Sequence, residues 1–341
     1  VCRGITYYKD NLDNSFIFYG VGSKLFKINT IDGKPDYKFG DGGYVDLHIG
    51  LGENSSSLYV SMTSPGVIYK NMIIVGSRVS EGNPAAKGNI RAFDSNTGDL
   101  VWVFRTIPEP GEEGYESYDD PDAHLRLGGA NAWSGLTLDE EKGILYAPTG
   151  SVSYDFYGGD RKGDNLFANS ILAIKAESGE RLWHYQTVHH DVWDRDLPAP
   201  PTLFNYNLKD SIIPALAQVT KSGYIFLLNR ITGEPIYEVI ERAVPSKSLL
   251  LGESLSKTQP TPTFPKSFSR QFLSNNDINP FVSKREKDSL IKVFTSLEKE
   301  DIFSPPSEKG TLIFPGFDGG AEWGGPAIDP INNIMYVNSN E

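Results

Sequence analysis

One short pattern recurs along the chain and limits what it can fold into: an apolar strand, a polar turn that ends in glycine, and a second strand that carries an aromatic residue. In the last three copies the turn glycine is followed four residues later by Trp, Trp or Tyr. Glycine supplies the positive φ of a tight hairpin turn, and aromatic residues favour strands. The copies are LFKINTIDGKPDYKF (25–39), IRAFDSNTGDLVWVF (90–104), ILAIKAESGERLWHY (171–185) and IFLLNRITGEPIYEV (225–239).

A second unit joins two strands through a charged turn and occurs at 136–150 and 326–340. Repeated antiparallel units of this kind predict an all-β fold, either a β-propeller or another radially repeated sheet. We expect a single domain over residues 1–341, with long inserted loops at about 107–127 and 242–310. The second loop contains KREKDSLIKVFTSLEKE, whose periodicity predicts a helix.

Composition argues against several classes of protein. The net charge of −12 argues against binding to a nucleic-acid backbone. Cys2 is the single cysteine, so neither an internal disulfide nor a CxxCH haem-attachment motif can form within this sequence. The sequence has no run of about 18 apolar residues, so it predicts no membrane span in this chain. Because the chain begins without Met and stops within a strand-like pattern, we expect a piece of a longer protein.

The densest cluster of titratable side chains is TVHHDVWDRDLPAPPTL. If the strand pattern continues there, His189 and His190 point to opposite faces and cannot easily chelate one ion, which favours packing or hydrogen-bonding roles. Asp194 and Asp196 would share a face at a strand-to-loop edge, where active-site carboxylates are often carried. These local features do not choose between Asp191, Asp194 and Asp196 as the working residue.

Two further residues have more than one interpretation. Trp133 in GGANAWSGLTLD is either a core residue at the edge of a sheet or a flat platform for a planar ligand. Glu81 ends a strand in a glycine-containing loop and is an ordinary solvated carboxylate unless several loops converge on it. The sequence contains no phosphate-loop, dinucleotide-binding, nucleophile-elbow or CxxC zinc motif.

Together, the motifs resemble those of the quinoprotein dehydrogenases that use pyrroloquinoline quinone (PQQ), in particular the membrane-type glucose dehydrogenase branch. The resemblance extends over almost the whole chain in the family's order. It implies an eight-bladed β-propeller of which this chain holds only part. The stretches that carry it are CRGITYY, GSRVSEG, GNIRAFDSNTGDLVW, GGANAWSG, GDNLFANSILAIKAESG, HHDVWDRDLPAPPTL, TKSGYIFLLNRITG and PPSEKGTLIFPGFDGGAEWGG.

The resemblance implies roles for individual residues. Asp194 in HHDVWD matches the family's general base, which also touches the metal, and Lys221 in TKSG matches a lysine on the quinone oxygens. Trp133 matches the tryptophan that stacks under the PQQ ring. The other implied cofactor contacts are Arg3 on a PQQ carboxylate, Thr63, Glu81 beside the metal, and Trp323.

The implied metal is Ca²⁺ or Mg²⁺, with Glu81, Ser151 and Asp194 as its protein ligands. The sequence departs from the family at Ser151, because the alcohol dehydrogenases have asparagine after the same glycine and the site here loses an amide oxygen. The adjacent cysteine pair of the alcohol branch is also absent, which is consistent with the glucose dehydrogenase branch.

The resemblance implies oxidation of a sugar or polyol hydroxyl, with hydride transfer to PQQ and electrons passed to a quinone or cytochrome c. Substrate specificity is expected in the two long loops, and the location is expected to be periplasmic, with membrane association through segments outside this chain. The alternative is a non-catalytic scaffold of PQQ-type repeats for protein assembly. A scaffold has no reason to keep Asp194, Lys221, Trp133, Arg3 and Glu81 together, so the enzyme is favoured.

Overall fold

The chain folds into a series of small antiparallel sheets that follow one another in sequence. A computed structural model describes residues 2–52, 54–208 and 211–340. Within these ranges, no helix is both long enough and apolar enough to cross a bilayer. The residues outside the description are Val1, Glu53, Lys209, Asp210 and Glu341.

The first two sheets have four strands each. The first consists of β1 (Thr6–Lys9), β2 (Ser15–Val21), β3 (Lys24–Asn29) and β4 (Tyr44–Asp46), paired in that order. The next strands are β5 (Val60–Ser61), β6 (Val67–Tyr69), β7 (Met72–Val75), β8 (Arg78–Val79), β9 (Ile90–Asp94) and β10 (Leu100–Phe104). The second sheet has the order β10-β9-β7-β6, while β5 and β8 form a separate short pair.

The later sheets become smaller along the chain. The third has four strands in sequence order: β11 (Thr137–Asp139), β12 (Ile144–Pro148), β13 (Ser170–Lys175) and β14 (Arg181–Gln186). The fourth has three: β15 (Thr202–Leu208), β16 (Ser211–Val219) and β17 (Ile225–Asn229). Two-stranded pairs follow, β18 (Val239–Ala243) with β19 (Thr258–Pro262) and β20 (Ala327–Asp329) with β21 (Ile334–Tyr336).

The helices lie in the two predicted loops. α1 (Ala123–Arg126) belongs to the first loop and α2 (Lys284–Ser296) to the second, where the sequence predicts a helix. Ser283 caps α2, because its hydroxyl accepts from the N–H of Glu286 at 3.3 Å and its N–H donates to the Glu286 carboxylate at 2.8 Å. Short 3₁₀ turns occur at Ser55–Ser57, Tyr115–Ser117 and Asn275–Asp277.

Central strands are buried on both faces and separate neighbouring cores. Ile73 and Ile74 of β7 are both fully buried, but they belong to different apolar clusters. Leu145 and Tyr146 of β12 are divided between two clusters in the same way. Because side chains alternate along a strand, one continuous apolar run fills two cores.

The turn glycine of the repeated pattern receives an aromatic ring from the preceding sheet. Gly179, after β13, has a φ of 76°, and a Cβ there would lie 2.7 Å from the ring of Trp102 in β10. Gly233, after β17, has a φ of 78°, and a Cβ there would lie 2.6 Å from the ring of Trp183 in β14. Each indole N–H also donates to a carbonyl of the turn that it covers, at 3.1 Å. The aromatic residue of the pattern therefore joins one sheet to the next.

Candidate active site

A polar cavity of about 240 Å³ lies where loops from several sheets converge. Glu81, Ser151 and Lys221 line it from positions just after strands β8, β12 and β16, and Trp133 lines it from the loop before β11. The fold thus brings together residues that are far apart in sequence. All of the predicted site residues except Trp323 line this cavity: Arg3, Thr63, Glu81, Trp133, Ser151, Asp194 and Lys221.

The segment that carries Asp194 is a series of turns, so the expected strand is wrong here. β14 ends before the segment and β15 begins after it, and φ is positive at both His190 (47°) and Asp194 (56°). The carboxylate of Asp191 stabilises these turns because it accepts from the backbone N–H groups of Trp193 (2.9 Å) and Arg195 (2.6 Å). The alternation of side chains along a strand therefore does not apply to these residues.

His189 and His190 have separate hydrogen-bond partners. The ring of His189 lies with Nδ1 2.6 Å from the side-chain oxygen of Gln186 and with Nε2 3.2 Å from the carboxylate of Glu241. His190 is 1% exposed, and its Nδ1 lies 2.7 Å from the carbonyl oxygen of Gly163. Burial lowers the pKa of His190 to about 4, and a nearby guanidinium adds to this effect. Both rings support the turns around them.

Asp194 and Lys221 form an ion pair in the cavity, with 3.0 Å between Oδ1 and Nζ. The side chain of Lys221 is 7% exposed and that of Asp194 is 17% exposed. Burial and the carboxylate of Asp196 raise the pKa of Asp194, while the ammonium of Lys221 opposes this rise. Burial lowers the pKa of Lys221, but the carboxylates of Asp196 and Asp194 outweigh it and leave that pKa above its ordinary value. The pair therefore places a charged ammonium beside a carboxylate of increased basicity.

Asp196 fixes the orientation of Trp133. The indole Nε1 donates to Asp196 Oδ2 at 2.8 Å, and Asp196 Oδ1 accepts from the backbone N–H of Ser151 at 2.6 Å. The hydroxyls of Thr63 and Ser64 both donate to the carbonyl of Trp133, at 2.8 and 2.9 Å. The indole is held through its nitrogen and through its backbone, as a stacking platform requires.

Arg3 lies between two indoles at one side of the cavity. Its guanidinium carbon is 5.2 Å from the ring centroid of Trp133 and 5.4 Å from that of Trp323. Trp323 is 56% exposed and is not part of the cavity lining. The structure thus places Trp323 near the predicted cofactor contacts, with Arg3 between it and the enclosed platform.

Glu81 is paired with an arginine that sequence reasoning missed. Arg78 Nη2 donates to Glu81 Oε1 at 2.9 Å, and both side chains line the cavity. The i, i+3 spacing of the two residues is the only sequence signal that could have suggested this pair. Within residues 2–52, 54–208 and 211–340, no three His, Cys, Asp or Glu side chains are grouped as a metal cluster. The ligand roles of Glu81, Ser151 and Asp194 therefore stay a prediction.

Asp155 is a second lining residue that sequence reasoning missed. It is 4% exposed, and no group in the described part of the chain donates a hydrogen bond to its carboxylate. Burial and then the carboxylates of Asp196, Asp194 and Asp191 raise its pKa to about 9, while Arg161 opposes the rise. Its local sequence, SYDFYGGD, carries no motif that predicts burial.

The chain matches a protein family over its whole length. The description "PQQ: Glucose/ethanol/alcohol dehydrogenase, beta-propeller domain" covers residues 1–341. The chain is 35% identical over 328 residues to the quinate/shikimate dehydrogenase (quinone) of Acinetobacter baylyi, covering 93% of this chain and 39% of that protein. It is 32% identical over 356 residues to the quinoprotein glucose dehydrogenase of Escherichia coli, covering 99% of this chain and 43% of that protein. The chain therefore spans less than half the length of these relatives.

Solved structures with the same fold include two dehydrogenases. A quinohemoprotein alcohol dehydrogenase from Pseudomonas putida has a TM-score of 0.68 and 22% identity, covering 99% of this chain and 43% of that one. A europium-containing methanol dehydrogenase has a TM-score of 0.67 and 19% identity, covering 100% of this chain and 52% of that one. At these identities the likeness concerns the fold alone. The predicted all-β propeller fold is confirmed, while eight blades and a partial ring stay predictions.

Proposed function

Because this chain belongs to the family of PQQ-dependent glucose, ethanol and alcohol dehydrogenase β-propeller domains, we propose that the full-length protein oxidises a CH–OH group with PQQ as its cofactor. The observation that carries the proposal is the ion pair of Asp194 and Lys221, 3.0 Å apart, in a cavity that Trp133 also lines. Burying such a pair costs desolvation energy, which a non-catalytic scaffold has no need to spend.

The cavity has the groups that a planar, carboxylate-bearing cofactor needs. The guanidinium groups of Arg3 and Arg78 line it and suit carboxylates, because each is a planar donor of several hydrogen bonds. The fixed indole of Trp133 suits a flat ring. When bound, PQQ supplies the two-electron oxidation that side chains cannot perform. The part of this chain is to orient the ring and to set the charge around it.

Asp194 is the general base of the proposed reaction. Lys221 donates to Oδ1 of its carboxylate, so Oδ2 is the oxygen left to accept the proton of a substrate hydroxyl. Increased basicity helps the carboxylate to take that proton, and the adjacent ammonium opposes the protonation of the free carboxylate that burial favours. Lys221 is also positioned to stabilise negative charge that develops in the cavity during reduction.

We propose that a divalent cation, Ca²⁺ or Mg²⁺, binds in the cavity beside Asp194, with Glu81 and Ser151 as the further ligands that the family resemblance implies. Such a cation would polarise an oxygen of the reacting groups. Hard cations prefer oxygen ligands, and acidic side chains outnumber basic ones in the lining even before an anionic cofactor is added. The acidic residues are Glu81, Asp155, Asp194, Asp196 and Glu322, and the basic ones are Arg3, Arg78 and Lys221.

The proposed substrate is a sugar or polyol, and the proposed electron acceptor is a quinone or cytochrome c. Relatives named quinate/shikimate dehydrogenase (quinone), quinoprotein glucose dehydrogenase and glycerol dehydrogenase large subunit support a small polyhydroxylated substrate. A quinone acceptor is supported by the first of these names. A periplasmic location is part of the same proposal.

Reconstitution of the full-length protein tests this function. With PQQ and Ca²⁺ or Mg²⁺, it should reduce an artificial electron acceptor when given an aldose, a polyol or a cyclic polyol. Asp160→Asn serves as the control for substitutions of the cavity aspartates, because Asp160 lies on an exposed turn and its closest charged partner is Arg126 at 3.9 Å. Failure of the wild-type protein to bind PQQ would favour the scaffold.

A further inference from the structure

Asp155 has no assigned part in the reaction, although it is among the most enclosed carboxylates of the cavity. Asp155 as a whole residue is 4% exposed, whereas the side chain of Asp194 is 17% exposed. Its backbone N–H donates to the carbonyl of Glu81 at 3.3 Å, which places it beside the loop after β8. A buried carboxylate with no hydrogen-bond donor among the described residues is costly to ionise, and a bound cation would offset that cost.

Two of the ligands that the family resemblance implies are already engaged by other side chains. The carboxylate of Glu81 accepts from Arg78 at 2.9 Å. The hydroxyl of Ser151 lies within hydrogen-bond reach of carboxylate oxygens of both Asp191 and Asp196, and it can donate its one hydrogen to either of them. One oxygen of Glu81 and the hydroxyl of Ser151 are thus already engaged, whereas neither carboxylate oxygen of Asp155 has a hydrogen-bond donor among the described residues.

We infer that Asp155 is a direct ligand of the divalent cation, together with Asp194. The inference rests on the proposed function, because the cation is the one proposed there. A carboxylate brings a full negative charge to a hard cation, while a serine hydroxyl brings only a dipole. Since no three His, Cys, Asp or Glu side chains form a metal cluster in the described ranges, water or oxygens of the bound cofactor would complete the coordination shell.

The strongest competing role for Asp155 is acceptance of a hydrogen bond from a substrate hydroxyl. A carboxylate in a wet cavity can serve either purpose, so the two roles have to be separated by experiment. The substrate role predicts a change in KM with unchanged cation affinity. The ligand role predicts a loss of cation affinity that is measurable without any substrate.

Calorimetric titration of the full-length protein with Ca²⁺ and with Mg²⁺, with PQQ present and substrate absent, tests the inference. Asp155→Asn should weaken cation binding on the order of 100-fold, because the charge of the ligand set governs affinity for hard cations. Asp160→Asn, which removes a charge five residues away on an exposed turn, should leave the affinity unchanged. Asp155→Asn with cation affinity within about twofold of wild type would overturn the inference.

Thermal unfolding with and without Ca²⁺ provides a second measurement, which distinguishes a ligand role of Asp155 from a merely structural one. Asp155→Asn keeps the shape of the side chain and replaces a carboxyl group whose pKa is raised to about 9 with a neutral amide, so near neutral pH the metal-free variant should melt no lower than the metal-free wild type. The wild type should gain stability when Ca²⁺ is added, and the variant should lose most of that gain. A variant that melts lower without metal and keeps the full gain with metal would count against a ligand role.

The result can be separated from the fate of the proposed function. If the wild type binds PQQ and the cation, but Asp155→Asn changes only the KM for substrate, the function stands and the ligand role is wrong. If the wild type binds the cation through Asp155 but does not bind PQQ, the ligand role stands and the proposed function fails. Absence of cation binding by the wild type with and without PQQ overturns the ligand role.

Discussion

Two neighbouring regions, the turn around Asp191 and the turn around Asp194, use the same side chain for different purposes. Asp194 accepts a hydrogen bond from Lys221 alone among the described residues, and it faces the cavity. Asp191 is 2% exposed and is saturated by donors. These donors are the hydroxyl of Ser151, the amide of Asn169 and the backbone N–H groups of Trp193 and Arg195.

The number of hydrogen-bond donors around a carboxylate decides whether it has an oxygen available to accept a proton. The oxygens of Asp191 are occupied by donors, so it stabilises the segment and cannot easily accept a proton. Asp194 has one oxygen free because the turns formed by Asp191 carry it to the cavity. The saturated Asp191 therefore supports the turn that carries Asp194, the proposed base.

The same substitution at the two positions should separate the two roles, and the largest effect is expected at Asp194. Asp194→Asn should lower turnover by about 10³-fold or more in the reconstituted full-length protein, because a general base contributes factors of this size. PQQ binding should persist, because the amide oxygen can still accept from Lys221, and any fall in the melting temperature should be smaller than that of Asp191→Asn. Steady-state kinetics and PQQ titration would check this, and normal turnover would show that another group is the base.

Asp191→Asn should act on stability first. An amide placed in this site has to direct its NH₂ toward groups that are themselves donors, which leaves buried donors without an acceptor. We expect a loss of about 3 kcal/mol in the free energy of unfolding. Urea unfolding measures this loss. If Asp191→Asn lowered the free energy of unfolding no more than Asp194→Asn, the two aspartates would not differ in their structural role.

The pH dependence of stability tests the region around His190. Its pKa is lowered to about 4 by burial and by Arg161, whereas an unfolded histidine titrates near about 6.5. Below that pH the unfolded chain takes up a proton that the folded chain does not, so stability is lost as the pH falls toward 4. The loss from this residue should reach roughly 2.5 kcal/mol at about pH 4.5.

His190→Asn is the matched variant for this test. Asparagine tolerates the positive φ of 47° and can still donate to the carbonyl of Gly163, but it does not titrate. Between about pH 6.5 and 4.5, the free energy of unfolding of the variant should fall by roughly 2.5 kcal/mol less than that of the wild type. Urea unfolding at several pH values measures the difference. Parallel slopes for His190→Asn and the wild type would contradict the prediction.

The smallest effect is expected for Trp133→Phe. Phenylalanine keeps an aromatic face but cannot donate to Asp196, so the bond of 2.8 Å is lost. We expect the free energy of unfolding to fall by about 1 kcal/mol. PQQ binding should weaken moderately, because the ring stays but its orientation is no longer fixed. An unchanged PQQ affinity would mean that stacking needs no hydrogen-bonded anchor.

Sequence reasoning was most successful where the signal is local. Gly179 and Gly233 lie in left-handed turns as predicted, because only the backbone decides that conformation. The helix in the second long loop also depends on local periodicity and on a capping box at Ser283. Family motifs pointed to Asp194, Lys221 and Trp133, and these three residues line one cavity, while their roles stay predictions.

Sequence reasoning failed where contacts between distant segments decide the outcome. The turns around Asp191 depend on Ser151 and Asn169, which lie on other loops, so local alternation wrongly suggested a strand. Asp155 is buried by packing against carboxylates and an arginine from elsewhere in the chain, and its own neighbours carry no signal of this. The pairing of Glu81 with Arg78 depends on the conformation of the loop after β8.

The contact of Trp102 with Gly179, repeated by Trp183 with Gly233, has a consequence for how such a molecule can grow. Each junction has a direction, because one sheet supplies the indole ring and the next sheet along the chain supplies the turn glycine that the ring covers. A duplicated unit carries both halves with it and fits between its neighbours without any new chemistry. Duplication of units can therefore lengthen the fold, while the candidate active-site cavity is built from loops and is free to diverge.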